Sequence, residues 1–318
     1  MATRATPSVS QNDLNGLITL LDVQVIGLSE CLVSPGFKLV IDGHSAPGLH
    51  YIIAGSGKIH VRDELSMELK PHTLIIAPPK CPLEIEVPVP DDSNAMITRV
   101  LARTEYAQMV DSIYRFNAGE SEPKTIMICG HFQALYGSSL DLFGTLSSPI
   151  IEHFDPDDHL ESRLKAMLDE LMAQEIGAGA MAAALLKQVI VALLRRSLKS
   201  NDLWEARFSI LSDPKVARAF AEMVADPGAN HTIRSLADTA NMSRSTFMAR
   251  FTNAIGRAPM QLLRDLRMKQ AASQLGMGSY TIDQVARNCG YASRAGFARA
   301  FKDIYGAEPR DYREVKRT

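Results

Sequence analysis

Hydroxyl and cationic side chains recur at nearly the same spacing in two places near the C-terminus. The candidate contact residues are Ser243, Arg244, Ser245, Met248, Ala249 and Arg250 in the first place, and Ser293, Arg294, Arg299 and Lys302 in the second. Hydroxyl, guanidinium and ammonium groups bind phosphate oxygens, and an arginine can also donate two hydrogen bonds to a guanine edge. The two sets therefore predict a surface that binds duplex nucleic acid.

These residues belong to a segment that occurs twice. Residues 232–251 (TIRSLADTANMSRSTFMARF) recur as 281–301 (TIDQVARNCGYASRAGFARAF), at an offset of 49 before the turn and 50 after it. Apolar residues at i, i+3, i+4 and i+7 predict a short helix in each copy. Asn241 or Gly290 then predicts a left-handed turn, and the next serine predicts the N-cap of a second helix. Each copy is typical of a helix-turn-helix whose second helix enters a major groove.

The charge is divided unequally along the chain. Residues 213–318 contain 17 Lys and Arg against 10 Asp and Glu, a net charge of +7, and the other 212 residues carry −9. A basic segment of this kind favours a polyanionic partner. The alternative, two ordinary helical hairpins in a bundle, would not require a repeated turn and a repeated serine cap.

Residues 214–313 resemble the DNA-binding domain of AraC/XylS-type transcription regulators. The resemblance rests on LADTANMSRSTF, GRAPMQLLRDLRM and VARNCGYASRAGFARAFKDIYGAEPRDYR. It implies a helix at about 260–275 that holds two helix-turn-helix units about 34 Å apart, one turn of DNA. It also implies individual roles: Phe297, Phe301 and Gly306 in the core, and Arg294, Arg299 and Lys302 facing DNA.

The same resemblance implies a sequence-specific regulator with double-stranded promoter or operator DNA and RNA polymerase as partners, and with activation as a typical role. Ala249 departs from the family pattern, because many relatives have a basic residue there. An alanine can contact a thymine methyl group but cannot donate a hydrogen bond from its side chain. We predict no catalytic residue and no cofactor.

The first 155 residues have a different sequence pattern. Short β-type runs separated by Gly- and Pro-rich turns occupy 38–41, 49–54, 58–61, 73–77 and 83–87. This spacing predicts an antiparallel barrel or jelly roll. The sequences PGLHYIIAGSGKIHV and LKPHTLIIAPPK resemble the cupin-type sensor domains that precede AraC-type DNA-binding domains.

A helical segment lies between these two parts. Residues 181–198 have an apolar face wider than one contact requires, which predicts either a dimerisation helix or a helix buried in its own domain. The family resemblance favours a homodimer, with Leu186, Val189, Ile190 and Leu193 in the contact. The predicted fold is α+β and multidomain, in three parts. These are a cupin-like effector or dimerisation β-barrel (1–155), a helical linker (156–212) and an all-α AraC-type domain with two helix-turn-helix units (213–318).

The candidate effector residues are His50, Arg99 and Arg103. The two arginines, four residues apart on one predicted strand face, can bind a small carboxylate or phosphate, or form salt bridges with the acidic half. The chain lacks the H-x-H of catalytic cupins, so we predict no metal. A metal-binding cupin enzyme fused to a DNA-binding domain is the alternative function.

Composition and cysteine spacing bear on the remaining classes. The chain has 318 residues, 46% of them hydrophobic, enough for two globular domains. Its four cysteines lack C-x-x-C spacing, which favours reduced thiols over a zinc site, a disulfide framework or the reactive cysteine of a DNA-repair protein. We find no signal-peptide core and no stretch near ~18 apolar residues, so we predict a cytoplasmic protein without membrane contact.

Overall fold

The computed structural model describes residues 11–61, 65–90, 95–103, 107–110, 113–136, 140–144, 146, 148–199 and 213–317. The chain divides into two compact units. Unit 1 comprises Met1–Asp22, Leu135–Leu140 and Trp204–Thr318, and unit 2 comprises Val23–Ala134 and Asp141–Leu203. The start of the chain thus belongs to the same unit as its C-terminal part, while the domain boundaries at 155 and 212 stay predictions.

Unit 2 is built from two β-sheets. The strands are β1 (Asp22–Val33), β2 (Phe37–Ile41), β3 (Gly48–Ala54), β4 (Lys58–Val61), β5 (Leu65–Glu68), β6 (Thr73–Ala77), β7 (Leu83–Val87), β8 (Thr98–Leu101), β9 (Gln108–Val110), β10 (Ile113–Ala118), β11 (Thr125–Tyr136), β12 (Leu140–Asp141) and β13 (Ile150–His153). One sheet has the order β13-β6-β3-β11-β1-β10-β9, with β12 on β11, and the other has the order β5-β4-β7-β2-β8. The predicted β-type runs coincide with β2, β3, β4, β6 and β7, which confirms the predicted fold class for this part.

Both sheets contribute to one apolar core. Side chains such as Leu39 of β2, Ile59 of β4, Ile75 of β6 and Met127 of β11 are fully buried in it. Along β7, buried residues alternate with partly exposed glutamates. This is the period-2 pattern of a strand with one buried face, and it places the acidic groups of β7 on the outer surface.

Two helices, α2 (Leu160–Ala173) and α3 (Ala178–Lys199), pack against each other in unit 2. The four predicted dimerisation residues, Leu186, Val189, Ile190 and Leu193, are at most 1% exposed within the single chain. We therefore correct the expectation that they form a contact between two chains, because they already pack inside unit 2. A homodimer through α3 would have to use the opposite face of the helix.

Helix α3 contradicts the prediction that no stretch of the chain approaches the length of a membrane-spanning helix. Residues Ala178–Arg196 are long and apolar enough to cross a membrane by length and composition, with 33% of the apolar stretch buried. The core helix of a soluble protein passes the same test.

Unit 1 is helical. It contains α1 (Gln11–Leu20), α4 (Pro214–Ala225), α5 (Ile233–Thr239), α6 (Arg244–Ile255), α7 (Pro259–Met277), α8 (Ile282–Asn288), α9 (Arg294–Tyr305) and α10 (Pro309–Arg317). Helix α1 contacts α4, and the Asp22 carboxylate lies 2.9 Å from Nζ of Lys269 on α7. The long helix predicted at 260–275 is α7, which at 19 residues is about 28 Å long.

Candidate nucleic-acid interface

The two copies of the repeated segment fold in the same way because they have the same caps. Thr232 and Thr281 each form a capping box at the start of α5 and α8. At the start of α6, Ser243 Oγ accepts a hydrogen bond from the backbone N–H of Thr246, at 3.2 Å. Ser293 Oγ accepts the corresponding bond at the start of α9, also at 3.2 Å. These bonds satisfy N–H groups that have no partner inside a helix, which confirms both predicted serine caps.

The turns of the two copies share one backbone arrangement. The φ angle is +51° at Asn241 and +73° at Gly290, as predicted for a left-handed turn. The N–H that follows donates to a carbonyl of the preceding helix in both copies, from Met242 to Ala237 and from Tyr291 to Ala286, each at 2.9 Å. The direction in which α6 and α9 leave the turn is therefore fixed by backbone geometry.

Aromatic pairs decide which face of each second helix is buried. The ring centroids of Phe247 and Phe251 lie 5.3 Å apart, and those of Phe297 and Phe301 lie 5.8 Å apart. All four rings are fully buried. The core assignment of Phe297 and Phe301 is thus confirmed, whereas Gly306 is an exposed residue in the left-handed conformation that caps the C-terminus of α9.

The opposite faces of α6 and α9 are exposed. These faces carry Arg244, Ser245, Met248 and Ala249 on α6, and Arg294, Arg299 and Lys302 on α9. The arrangement brings the predicted contact residues of each copy onto one accessible surface. Whether these residues contact DNA stays a prediction.

Several of the predicted cationic contacts have acidic partners. Arg250 Nε lies 2.6 Å from Oδ2 of Asp213, the residue that caps α4, so Arg250 joins α6 to α4. Arg294 lies 3.4 Å from Asp283, and Lys302 lies 2.9 Å from Glu308. The hydrogen bond from Lys302 to Glu308 raises the pKa of that lysine. Arg250 differs from Arg294 and Lys302 because its partner, Asp213, is the buried cap of a neighbouring helix.

Arg244 and Arg299 have no ion-pair partner among the residues that the structure describes. Both side chains are exposed: Arg244 is the first residue of α6, and Arg299 lies five residues, about one and a half turns, after the first residue of α9. Their guanidinium groups are therefore available to an external acceptor.

Helix α7 contributes to the core around the second copy. Met268, Ala271 and Leu275 pack with Phe297 and Phe301 in one buried cluster. Leu262, Leu263 and Leu266, nearer its start, are also buried. The helix is thus apolar-packed over most of its length, as a rigid connection requires, and the separation of about 34 Å between the two DNA-contacting helices stays a prediction.

In unit 2, Arg99 and Arg103 lie close to two different carboxylates. Arg99 Nη2 lies 2.7 Å from Oε1 of Glu84 on the neighbouring surface. Arg103 lies beyond the end of β8, with its Nε 3.9 Å from Oδ2 of Asp42. Both side chains are more than half exposed. Both arginines form salt bridges within the acidic half, which is the alternative that the sequence left open.

His50 lies in the interior of unit 2, not in an accessible cleft. Burial, together with the nearby His131, lowers the pKa of His50 to about 3, so the ring is neutral. His131 stacks on His44 with centroids 4.3 Å apart, and burial lowers the pKa of His131 to about 4. Among the described residues, no group of three or more His, Cys, Asp or Glu is arranged to hold a metal ion.

The four cysteines, Cys31, Cys81, Cys129 and Cys289, are free and buried. Burial raises the pKa of Cys289 to about 12 and raises the pKa of Cys129 as well. A reactive cysteine needs a lowered pKa and access to solvent. All four thiols are buried, so none of them is exposed as a reactive cysteine would be.

One feature of unit 2 was not predicted from the sequence. A cleft of about 830 Å³ is lined by Leu32, Ser34, Phe37, Gln108, Asn117, Gly119, Glu120, Ser121 and Pro123. Two of these residues are hydrogen-bonded to each other, since Ser34 Oγ donates to the carbonyl of Ser121 at 2.7 Å. The lining residues come from stretches that are separated in the sequence, at 32–37, 108 and 117–123, so no single local pattern marks them.

Comparison with known proteins identifies several that are similar to this chain. The crystal structure of the DNA-binding domain of AdpA in complex with a target DNA is 34% identical, with a TM-score of 0.31, over 32% of this chain and 91% of that one. A putative AraC-like transcription regulator of Streptomyces antibioticus is 29% identical over 229 residues, 71% of each chain. Another, of Streptomyces lividans, is 33% identical over 217 residues, 66% of this chain and 69% of the relative. Residues 236–314 match the Helix-turn-helix domain family and residues 14–199 match the Cupin family. The chain therefore belongs to the AraC-like transcription regulators, and it combines a Cupin-family region with a Helix-turn-helix domain.

Proposed function

We propose that this AraC-like DNA-binding regulator recognises a specific promoter or operator sequence by placing α6 and α9 in two adjacent major grooves. The observation that carries the proposal is the exposed face of α9, where Arg299 is held opposite the buried Phe297 and Phe301 and has no acidic partner among the described residues. On bacterial promoters such a protein acts in the cytoplasm beside RNA polymerase. Among the described residues, no cluster of metal ligands supports the alternative function, a metal-binding cupin enzyme.

The two exposed faces differ in chemistry. On α9, Arg299 can donate two hydrogen bonds to a guanine, which discriminates between bases. On α6, Met248 and Ala249 offer only apolar contact, and Arg244 stands at the first helical position, close to where a phosphate would lie. We infer that α9 supplies most of the base discrimination and that α6 mainly positions the domain.

Replacing Arg299 tests this assignment. We expect Arg299→Ala to weaken binding to the preferred site by about 1–3 kcal/mol and to relax the preference at one base pair, because a bidentate guanine contact is lost. Binding to unrelated DNA should fall much less. The measurement is a titration of full-length protein against the preferred duplex, four single-position variants of it and a scrambled duplex.

Arg310→Ala is the matched control, since Arg310 is 79% exposed on α10 and pairs only with Glu314 in the described structure. Arg310→Ala removes the same charge as Arg299→Ala, but Arg310 does not lie on the outward face of α9. Equal losses for Arg299→Ala on preferred and scrambled DNA would contradict the proposed base contact.

The salt dependence of binding tests the wider interface. Because several lysines and arginines displace counterions from DNA, the logarithm of affinity should fall linearly and steeply with the logarithm of salt concentration, by about 0.9 per phosphate contacted. Arg244→Ala should reduce this slope by about one unit on every duplex. An affinity that is unchanged between low and moderate salt would exclude a phosphate-binding surface of this kind.

We further propose that the protein is a homodimer through the outward face of α3. The apolar stretch of α3 is only 33% buried, and its outward side includes Ala184, Gln188, Val191 and Ala192 beside a groove of about 400 Å³. Small residues allow two helices to approach closely, while the basic residues at the edge of the groove can remain in water.

Sedimentation of two α3 variants tests the dimer. Ala184→Arg should yield a folded monomer, since it adds bulk and a like charge to a face that already carries basic residues. Ile190→Glu should instead destabilise unit 2, because Ile190 is fully buried. Asp169→Ala, at an exposed position of α2, is the control. A folded Ala184→Arg variant that stays dimeric would place the contact elsewhere.

We propose that a small-molecule effector binds in the cleft of unit 2 and not at Arg99 and Arg103. The cleft combines apolar residues such as Phe37 with amides from Gln108 and Asn117, and Glu120 is its charged residue. This lining fits a small polar molecule that is neutral or cationic, because a carboxylate in the cleft repels anions.

Thermal unfolding with a panel of neutral sugars, amino-acid amides, polyamines and dicarboxylates tests the ligand class. A ligand at 100 times its Kd should stabilise the protein by about 2.7 kcal/mol. We expect a shift with neutral or cationic compounds, reduced by Asn117→Leu and unaffected by Arg99→Ala. A shift with dicarboxylates alone, abolished by Arg99→Ala, would restore the arginine site.

A further inference from the structure

The loop between α4 and α5 contacts the second helix-turn-helix directly. A Cβ atom on Gly228 would lie 1.9 Å from the carbonyl oxygen of Asn288, at the end of α8. A Cβ atom on Gly290, in the turn between α8 and α9, would lie 2.6 Å from the carbonyl oxygen of Gly228. Backbone therefore packs on backbone at this point, and only glycine leaves enough room at either position.

Arg267 of α7 holds this loop in place. Its Nε donates to the carbonyl of Pro227 at 2.8 Å, and its Nη2 donates to the carbonyl of Ala229 at 2.9 Å. The guanidinium carbon lies 6.0 Å from the ring centroid of Tyr291, which follows Gly290 in the second turn. One side chain thus contacts the loop before the first helix-turn-helix and the turn inside the second.

The loop is also fixed at its far end. His231 is 7% exposed, and its Nε2 donates to the carbonyl of Asp226 at 2.7 Å. The backbone between these two residues therefore cannot extend without breaking that bond and both bonds from Arg267. We call the contact formed by residues 226–231, Arg267 and Gly290–Tyr291 the loop clamp.

The loop clamp gives the two helix-turn-helix units a second connection besides α7. A single helix between two units allows each to pivot about its end, because few contacts resist that motion. A second contact away from the helix axis closes a ring and opposes the pivot. The positions of α6 and α9 relative to each other then depend on the clamp as well as on the length of α7.

We propose that Arg267 is a positioning residue that sets the spacing of the two DNA sequences this protein recognises. The proposal rests on the function proposed above, in which α6 and α9 contact adjacent grooves. With the clamp intact, only one distance between the two sequences allows both helices to bind. Without it, sites that are longer or shorter by a base pair become acceptable, because the units can pivot to meet them.

Selection of binding sites from a random duplex pool, with full-length protein, tests the proposal. The wild type should enrich two short sequences at one fixed spacing. Arg267→Ala should enrich the same two sequences over a range of about two base pairs in spacing. Direct titration should show about a tenfold loss on the wild-type spacing and little loss on sites altered by one base pair. A merely structural defect would lower affinity equally at every spacing.

Two further variants keep the test decisive. Arg267→Lys retains the charge but cannot donate to two carbonyls with the same planar geometry, so it should restore only part of the spacing preference. Should Arg267→Ala fail to fold, Arg267→Met retains the aliphatic packing and is measured in its place. Arg310→Ala, which removes an arginine outside the clamp, should keep the wild-type spacing.

The outcomes separate this inference from the proposed function. A folded Arg267 variant that keeps the strict spacing of the wild type overturns the clamp and leaves two-groove recognition intact. A wild type that enriches one short sequence without a partner overturns two-groove recognition, and the inference with it.

Discussion

Burial of an aromatic pair on one side of a short helix is the constraint on which the DNA-binding surface depends. Phe297 and Phe301 are four residues apart and so lie on one face of α9, where both rings are fully buried. The helix cannot rotate about its axis without exposing them, at about 1.5–3 kcal/mol for each ring. Every outward residue of α9, including Arg299, takes its direction from this fixed rotation. The phenylalanines of α6 act in the same way.

The division of charge between the two halves has a structural counterpart. In unit 2, the glutamates on the outer face of β7 are neutralised locally, as where Lys38 lies 2.8 Å from Glu86. In unit 1, acidic residues engage Arg250, Arg294 and Lys302. The pairs of Arg294 with Asp283 and of Lys302 with Glu308 are exposed and add little to stability, whereas Asp213 is buried. In the proposed complex, DNA competes with Asp283 and Glu308 for Arg294 and Lys302, whereas Arg299 has no acidic partner among the described residues.

Local sequence patterns were sufficient for the caps, the left-handed turns, the strands and the long helix, because each depends on residues within a few positions. They were insufficient wherever distant strands or helices meet. The partner of Arg99 is Glu84, and their proximity follows from the order β7-β2-β8 in the sheet. The apolar face of 181–198 indicated a contact, but periodicity cannot distinguish a neighbouring helix of the same chain from a second chain. The cleft of unit 2 likewise forms where stretches that are far apart in the sequence meet.

The loop clamp explains why the two copies of the repeated segment differ where they do. Asn241 and Gly290 share a positive φ angle and are both exposed, but a Cβ atom on Gly290 would lie 2.6 Å from the carbonyl oxygen of Gly228. Asparagine tolerates the conformation but not the close packing, so the first copy can keep it and the second cannot. The residue inserted after this point in the second copy lengthens the same turn, and Tyr291 within it lies next to Arg267. The contact with Gly228 thus accounts for the glycine of the second turn, whereas the caps and the aromatic pairs have the same role in both copies and are alike in both.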